Sequence, residues 1–206
     1  QGVGSRRLQI SYHTESGHSW VNFGIPSAIH SLGKLIYHIA QLSVPETPRT
    51  TYNVGLISGG ISVNTIAPEA QMILDMRSES GEALQDLEKE VRRLIDLVAQ
   101  EDRVEARVKV VGDRPAGALP ADHWLVQLAE QTADAVGLSL QWRAGSTDIN
   151  YALGQGRPAI CIGISRGHKL HNVGEYVETS PTLLGLKHTF LLLTTLATRA
   201  REKLLT

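Results

Sequence analysis

The chain has 206 residues, 42% hydrophobic and 20% charged, which is the composition of a globular protein with one large domain or two small ones. Its 20 Lys and Arg against 21 Asp and Glu give a formal net charge of −1, which excludes the strong overall field of a nucleic-acid or anionic-membrane binder. The single cysteine, Cys161, cannot form an internal disulfide, and neither a signal peptide nor an apolar run of about 18 residues is visible. We therefore expect a cytoplasmic protein with no nucleic-acid or membrane partner.

Four strands and two helices are predicted in the first half of the chain. Alternating or continuous apolar residues place the strands at 6–14, 50–60, 69–78 and 103–111. One helix covers 26–42, and Ser80 caps a second. The apolar stripe of this second helix consists of Leu84, Leu87, Val91, Leu94 and Val98. The order β-α-β-β-α-β predicts a ferredoxin-like domain, which we place at residues 5–111.

The second half of the chain, 112–206, begins with a linker rich in glycine and proline. Its predicted helices cover roughly 122–136, the end of 145–156, and 181–203. Strands are predicted at 138–143 and 158–164, and the second of these, "PAICIGI", has the continuous apolar run of a strand buried on both faces of a parallel sheet. Because two strands alone form a marginal sheet, we expect part of a doubly wound α/β domain whose other strands this chain lacks.

A metal site is the first candidate for chemistry, because the chain has 8 histidines. His168 and His171 lie three residues apart in a loop that also contains Glu175, which permits one or two ligands but not a complete zinc site. The alternative is that both histidines are solvated loop residues. The segments "GISRG", "GVGS" and "ISGGIS" match neither a serine-nucleophile elbow nor a phosphate-binding loop.

Other polar candidates lie near predicted strand ends. Asn64 and Arg77 are expected at one edge of two antiparallel strands, where an amide and a guanidinium suit a carboxylate or carbonyl oxygen. The alternative for Arg77 is an ion pair with Asp75. His18, in "ESGHSW", either contacts a substrate or packs against Trp20.

Five segments that occur in this order cover nearly the whole chain: "GSRRLQISYHTESGHSWVNFGIPSAIHSLGKLI", "NVGLISGGISVNTIAPEAQMILDMRS", "GDRP", "GSTDINYALGQGRPAICIG" and "HKLHNVGEYVE". Together they resemble the dinuclear-zinc amidohydrolase family of carboxypeptidase G, peptidase T, acetylornithine deacetylase and the aminoacylases. In that family a ferredoxin-like lid, which also forms the dimer, interrupts a catalytic α/β domain. The resemblance implies that residues 5–111 are the lid and 112–206 the closing part of the catalytic domain, with its opening part absent.

The resemblance also implies roles for individual residues. His171 matches the family's last zinc ligand, and His18 matches the lid histidine that reaches into the partner's active site to polarise the scissile carbonyl or hold the oxyanion. The remaining ligands and the general-base glutamate belong to the absent part. Asp148 is expected to cap the helix that follows it. Positions that match substrate-binding residues, typically for a carboxylate, are Asn64, Arg77, Arg114, Gly145, Ser146 and Thr147.

These roles predict a metal-dependent hydrolase that cleaves an amide bond in a small peptide or an N-acyl amino acid. Its cofactors would be two zinc ions per active site, with cobalt or manganese as alternatives. This chain alone is expected to hold no zinc tightly, to be inactive, and to form a homodimer through the lid. The competing hypothesis is a non-catalytic dimerisation or ligand-binding module. A ferredoxin-like RNA binder is disfavoured because the central strands lack a basic and aromatic pattern.

Overall fold

The computed structural model describes residues 1–169 and 172–205, with side chains up to residue 201. The chain forms two compact units. The first contains 1–117 and 144–155, and the second contains 118–143 and 156–206. Residues 144–155 therefore pack with the N-terminal half, although they come from the second half of the sequence.

Strands outnumber helices in the first unit. In chain order they are β1 (Gly4–His13), β2 (Gly17–His18), α1 (Ala28–Ala40), β3 (Thr50–Gly59), β4 (Thr65–Ile66), β5 (Glu69–Ser78), α2 (Gly81–Asp102), β6 (Glu105–Arg114), α3 (Trp124–Asp134), α4 (Ile149–Gly154), β7 (Gly167–His168), β8 (Tyr176–Val177) and α5 (Thr182–Leu205). Of the helices, α3 and α5 belong to the second unit, and α4 belongs to the first.

A four-stranded antiparallel sheet in the order β3-β5-β1-β6 is the centre of the first unit. Each long helix joins two strands that have a third strand between them: α1 leads from β1 to β3 past β5, and α2 leads from β5 to β6 past β1. This is the ferredoxin-like arrangement predicted for residues 5–111. The short β2–β4 ribbon lies beyond the end of the sheet at which β1 ends and β5 begins.

Helices α1 and α2 pack on one face of this sheet. Alternate residues of β1 and β5 point to that face and are buried: Leu8, Ile10, Tyr12, Met72, Leu74 and Met76. The predicted stripe of α2 is buried against them, which confirms the helical period. Ser80 Oγ accepts a hydrogen bond from Ala83 N at 3.3 Å, so the predicted cap of α2 is confirmed as well. The opposite sheet face carries polar side chains, such as Gln9 bonded to Gln71 at 2.7 Å.

The second unit is built on α3 and α5, which meet through Leu128, Ala129 and Leu192. The prediction of strands at 138–143 and 158–164 is wrong, because neither segment forms a strand in the described structure. A strand forms only where a neighbour completes its hydrogen-bond ladder, and the described residues of this unit provide no such neighbour. Burial on both faces of 158–164 is not found: Ile160 and Ile162 are half-buried against the α3–α5 cluster, whereas Cys161 is exposed and Ile164 is 42% exposed.

The remaining part of the second unit contains a two-stranded ribbon and the longest helix. β7 and β8 pair antiparallel, with Gly167 opposite Val177 and His168 opposite Tyr176. α5 has 24 residues, but its apolar positions are interrupted by threonine, arginine and lysine. Across the described residues, no helix combines the length and apolar character needed to cross a membrane.

Candidate functional site

The predicted site residues fall into two groups at opposite ends of the sheet. Arg77 and Arg114 both lie opposite Ser5, near the start of β1, whereas His18 and Asn64 lie in the β2–β4 ribbon beyond its end. Ser5 and His13 are eight residue steps apart in β1, so at about 3.4 Å per residue roughly 27 Å of strand lies between the two groups. The expectation that Asn64 and Arg77 meet at one edge is therefore wrong. Asn64 precedes β5, and Arg77 lies near the far end of that strand.

His18 is held by the turn that follows it. The backbone N–H groups of Trp20 and Val21 donate to His18 Nδ1 at 3.2 and 3.5 Å, and His18 N donates to Asn22 Oδ1 at 2.9 Å. A neutral His18 therefore carries its proton on Nε2, where it can donate to an oxygen of a bound molecule. Trp20 is 86% exposed, which argues against the alternative that His18 packs on the indole ring.

Asn64 lies beside His18 in the same ribbon. Ser19 N donates to Asn64 O at 3.0 Å, and Ser62 Oγ donates to Asn64 Oδ1 at 2.9 Å, which orients the side-chain amide. No group of the described chain accepts a hydrogen bond from Asn64 Nδ2. The ribbon thus presents an imidazole N–H and an amide NH₂, two donors that suit a carbonyl or carboxylate oxygen.

The ribbon is surrounded by exposed apolar side chains. Five of them are 74% exposed or more: Trp20, Val21, Phe23, Ile61 and Val63. Edge strand β3 continues this surface with Leu56 and Ile57, and none of its 10 residues is charged. The other edge strand, β6, carries Glu105, Arg107, Lys109, Asp113 and Arg114. Charges protect a free sheet edge from pairing, so β3 is the edge suited to pair with another chain.

Helix α1 extends the apolar surface next to β3. Ile29 and Tyr37 are 43% and 63% exposed, and they lie with Gly33 on one side of the helix at four-residue intervals. A Cβ on Gly60 would be 3.0 Å from Ile29 Cδ1, so this side of α1 reaches the end of β3. We refer to the exposed residues of α1, β3 and the β2–β4 ribbon as the β3 face.

At the other end of the sheet, Arg77 and Arg7 share the carboxylate of Asp75. Arg77 Nε donates to Asp75 Oδ2 and Arg7 Nε donates to Asp75 Oδ1, each at 2.7 Å. Burial alone would raise the pKa of Asp75, but the hydrogen bonds from Arg77 and Arg7 outweigh it and lower the pKa. The ion pair that was the alternative for Arg77 is therefore present. It uses only Nε, so the Nη1 and Nη2 groups remain to bind another acceptor.

Arg114, at the end of β6, lies against the turn Gly145–Asp148. Its Nη1 donates to Ser146 O at 3.5 Å, and its Nη2 lies 3.4 Å from Asp148 Oδ1. Both contacts are long, and the Asp148 side chain is 95% exposed, so the guanidinium is only weakly held. Asp148 occupies the N-cap position of α4 as expected, but its side chain makes no capping hydrogen bond to the helix.

Two hydroxyl groups in this turn are buried without a partner. Ser146 Oγ and Thr147 Oγ1 are shielded from solvent and form no hydrogen bond within the described structure. A buried polar group without a partner costs about 1–3 kcal/mol, so this pair beside a weakly held guanidinium points to a polar ligand. Hydroxyl donors with a cation suit an anion such as a carboxylate. The structure thus brings Arg114, Ser146 and Thr147 together, with Gly145 in the same turn.

The predicted metal ligand His171 lies outside the described residues. Within 1–169 and 172–205, no three His, Cys, Asp or Glu side chains converge as a metal centre would require. These residues therefore do not fit a zinc site by themselves. His168 is engaged elsewhere: its Nε2 lies 2.6 Å from Glu178 Oε1, and its ring stacks on Tyr176 with 4.8 Å between centroids.

Residues 3–103 match the M20 family's peptidase dimerisation domain. The chain carries an M20 peptidase dimerisation domain. The match covers the whole sheet except β6, and it includes His18, Asn64 and Arg77. A curated relative of the chain is acetylornithine deacetylase from Myxococcus xanthus, which is 25% identical over 182 residues. That alignment covers 82% of this chain and 47% of the deacetylase.

Solved structures of longer proteins share the fold of this chain. Aminopeptidase PepT from Bacillus cereus, at 20% identity, has a TM-score of 0.76, and the match covers 93% of this chain and 51% of PepT. A tripeptidase from Staphylococcus aureus, also at 20% identity, has a TM-score of 0.78 with the same coverage. The chain thus spans about half the length of these relatives. The resemblance predicted from the five sequence segments is confirmed.

Two asparagines that build these sites were missed by the sequence analysis. Asn22 holds the backbone of His18, and it approaches so closely that a Cβ on Gly17 would lie 2.8 Å from Asn22 Cβ. Asn150 is fully buried, and its Oδ1 accepts a hydrogen bond from Thr147 N at 2.9 Å. Neither residue lies on a periodic apolar face, so periodicity gave no signal for them.

Proposed function

We propose that the chain is the lid and the closing catalytic segment of a metal-dependent hydrolase that cleaves an amide bond in a small peptide or an N-acyl amino acid. One observation carries this proposal: the buried, unpartnered hydroxyls of Ser146 and Thr147 beside the guanidinium of Arg114. Peptides and N-acyl amino acids end in a carboxylate, which accepts hydrogen bonds from such donors. The deacetylase and peptidase relatives support the same class of reaction.

His18 and Asn64 are proposed to act in the active site of a second copy. Within one chain roughly 27 Å of β1 lies between their end of the sheet and Arg114, which is too far for one small substrate to span. A twofold dimer through the β3 face would bring the ribbon of each copy next to the other copy. There the Nε2–H group of His18 would donate to the scissile carbonyl and stabilise the oxyanion that forms on it.

The other predicted residues are proposed to bind substrate and metal. Arg114, Ser146 and Thr147 would hold the substrate carboxylate, and the free Nη groups of Arg77 would add positive charge at the same end of the sheet. The complete enzyme is proposed to use two zinc ions, with cobalt or manganese as alternatives and His171 as one ligand. Because the described residues do not form a metal centre, the 206-residue chain is proposed to be inactive by itself.

An assay of two proteins tests the proposal: the 206-residue chain, and the longer protein that contains it. Each is incubated with zinc and a panel of N-acetyl amino acids, dipeptides and tripeptides, and with the carboxamide analogue of each substrate. We expect hydrolysis by the longer protein alone, with the carboxamides cleaved much more slowly than the acids. Hydrolysis that is indifferent to the carboxamide replacement would contradict the carboxylate site at Arg114.

A non-catalytic dimerisation or ligand-binding module is the second candidate function. It is favoured by the match of residues 3–103 to a domain described by dimerisation rather than by catalysis. The same assay separates the two candidates. A longer protein that dimerises and binds an N-acetyl amino acid in calorimetry, but hydrolyses none of the panel, would establish the second.

A further inference from the structure

We propose that Asn150 is a positioning residue that locks the Gly145–Asp148 turn to the base of the lid, so that Arg114, Ser146 and Thr147 meet a substrate carboxylate as one preformed unit. The inference deepens the proposed function, and the identity of the ligand rests on that function. The mechanical role of Asn150 is independent of the proposed function, because it can be measured without any substrate.

The hydrogen bonds of Asn150 join three separate segments of the chain. Its Nδ2 donates to Val3 O and to Pro115 O, both at 2.8 Å, and its Oδ1 accepts from Thr147 N at 2.9 Å. The side chain is 0% exposed, so water cannot replace these partners. An amide is the side-chain group of this size that offers two donors and an acceptor at once. Aspartate would lose both donors, and alanine would lose all three bonds.

The positions of these partners connect Asn150 to the carboxylate site. Pro115 directly follows Arg114, and Thr147 directly follows Ser146. One side chain therefore fixes the backbone next to the guanidinium and the backbone of the turn that carries both unpartnered hydroxyls. Thr147 N is already bonded to Asn150, so the groups left for a ligand are the hydroxyls and the guanidinium rather than this amide.

Backbone hydrogen bonds complete the lock around Asn150. Residues 1–3 lie between the other two segments: Gly2 N donates to Gly117 O at 2.7 Å, and Val3 N donates to Gly145 O at 2.8 Å. The packing is tight enough that a Cβ on Gly2 would lie 3.0 Å from Asn150 Cγ, and a Cβ on Gly117 would lie 2.6 Å from Leu153 Cβ. This close packing explains why position 2, in the "GVGS" segment that matches no phosphate-binding loop, is a glycine. It also explains why 144–155 joins the first compact unit.

Hydrogen exchange on the 206-residue chain tests the mechanical role. In Asn150→Ala we expect the Thr147 and Gly145 amides to exchange at least about tenfold faster, while the amides of β1 and β5 keep their protection. The matched control is Tyr151→Phe, which removes the hydrogen bond from Tyr151 OH to Asp113 O, 3.0 Å, and leaves the turn untouched. Unchanged exchange at Thr147 in Asn150→Ala would overturn the proposal.

Kinetics of the longer protein test the link to the carboxylate. We expect Asn150→Ala to raise KM for an N-acetyl amino acid about tenfold or more, with kcat/KM for its carboxamide changed less than about threefold. Equal losses with acid and carboxamide would show a general structural role and would overturn the proposal. If the unmodified enzyme does not discriminate between acid and carboxamide, the carboxylate site itself fails, and exchange at Thr147 still decides whether Asn150 holds the turn.

A second variant keeps the test decisive if Asn150→Ala does not fold. Gly2→Ala removes no hydrogen-bonding group, but its new Cβ presses on the side chain of Asn150. We expect the same selective rise in KM for the acid with a smaller amplitude, together with faster exchange at Thr147. A Gly2→Ala protein with unchanged exchange and unchanged KM would overturn the proposal.

Discussion

His18 and Arg114 belong to opposite ends of the lid sheet. Arg114 lies opposite Ser5 near the start of β1, and His18 follows the far end of that strand, so roughly 27 Å of strand separates them. Both residues are proposed to contact substrate. If one site uses both, each of two chains must contribute one of them.

Mixing two impaired variants tests this division, at a substrate concentration far below KM where both parent dimers are slow. In a hybrid dimer of His18→Ala with Arg114→Ala, one site combines the intact Arg114 of one chain with the intact His18 of the other, and the second site has neither. Random reassortment makes half of the dimers hybrid, with one working site in two, so about a quarter of the unmodified activity should return. If the mixture is no faster than the average of its two parents, His18 acts within its own chain.

The two variants should also fail in different ways. His18→Ala should lower kcat by about 100-fold or more, because the proposed role of its Nε2–H group is to act on charge that develops in the transition state. Arg114→Ala should raise KM about tenfold or more and change kcat little, because its proposed role is to hold a carboxylate that is already charged in the ground state. Steady-state kinetics on the longer protein measure both. The reverse pattern would exchange the two roles.

Dimer formation through β3 can be tested with one lysine. Ile57→Lys places a charge on an edge strand that has none. Because burying this ammonium group in the interface costs free energy, sedimentation at micromolar concentration should show a monomer instead of a dimer. Val111→Lys on the already charged edge strand β6 is the control, and it should remain dimeric. A dimer that is lost in Val111→Lys and kept in Ile57→Lys would place the interface at β6 and contradict the prediction.

The cluster of Asp75 with Arg7 and Arg77 predicts a dependence of stability on pH. The two arginines lower the pKa of Asp75 in the folded state, so its stabilising contribution is present above the unfolded value of about 3.9 and is lost as pH falls through the lowered folded value. Asp75→Asn should therefore reduce the free energy of unfolding by roughly 1 kcal/mol at neutral pH, and the difference from the unmodified chain should shrink below about pH 4. Urea denaturation of both proteins at about five pH values between roughly 2.5 and 7 measures this difference in the free energy of unfolding.

The control for this experiment is Asp86→Asn. Asp86 pairs with Lys89 on the exposed side of α2, with 63% and 74% of the side chains exposed, so its removal should change stability little at any pH. A pH dependence in the Asp86→Asn difference equal to that of Asp75→Asn would mean that the effect comes from overall charge and not from the Asp75 cluster.

Residues 158–164 should exchange their backbone hydrogens quickly. They form no strand, whereas residues 69–77 lie in β5 with a neighbour on each side. Exchange measured by mass spectrometry on the 206-residue chain should therefore protect 69–77 and leave 158–164 largely unprotected. Equal protection of the two segments in a monomeric chain would mean that 158–164 has a ladder partner in this chain.

Most of the first unit could be predicted because buried residues recur there at the regular spacing of a strand or a helix. Leu8, Ile10 and Tyr12 alternate along β1, and each is fully buried, as the pattern indicated. Residues 158–164 show where the same reasoning failed. Their apolar run correctly indicates a preference for burial, but a strand also needs a hydrogen-bonded neighbour, and one segment carries no information about whether its neighbour is present.

The candidate site could be predicted residue by residue but not as an arrangement. Family resemblance identified Arg114, Ser146 and Thr147, and the structure brings them together at one turn. The sequence offered the ion pair of Arg77 with Asp75, but it gave no indication that Arg7 shares this carboxylate, because the contact of Arg7 depends on the register between β1 and β5.

The sequence by itself determined which stretches form the lid and which faces of its strands and helices are buried, because side-chain direction repeats every two residues in a strand and about every 3.6 in a helix. Only the tertiary structure decided what those elements bring together. Strand order separates His18 from Arg114 along β1, and chain segments 147 residues apart meet when Asn150 donates to Val3 O. The physical reason is that these relations depend on strand register and on hydrogen bonds between distant segments, neither of which leaves a local pattern in the chain.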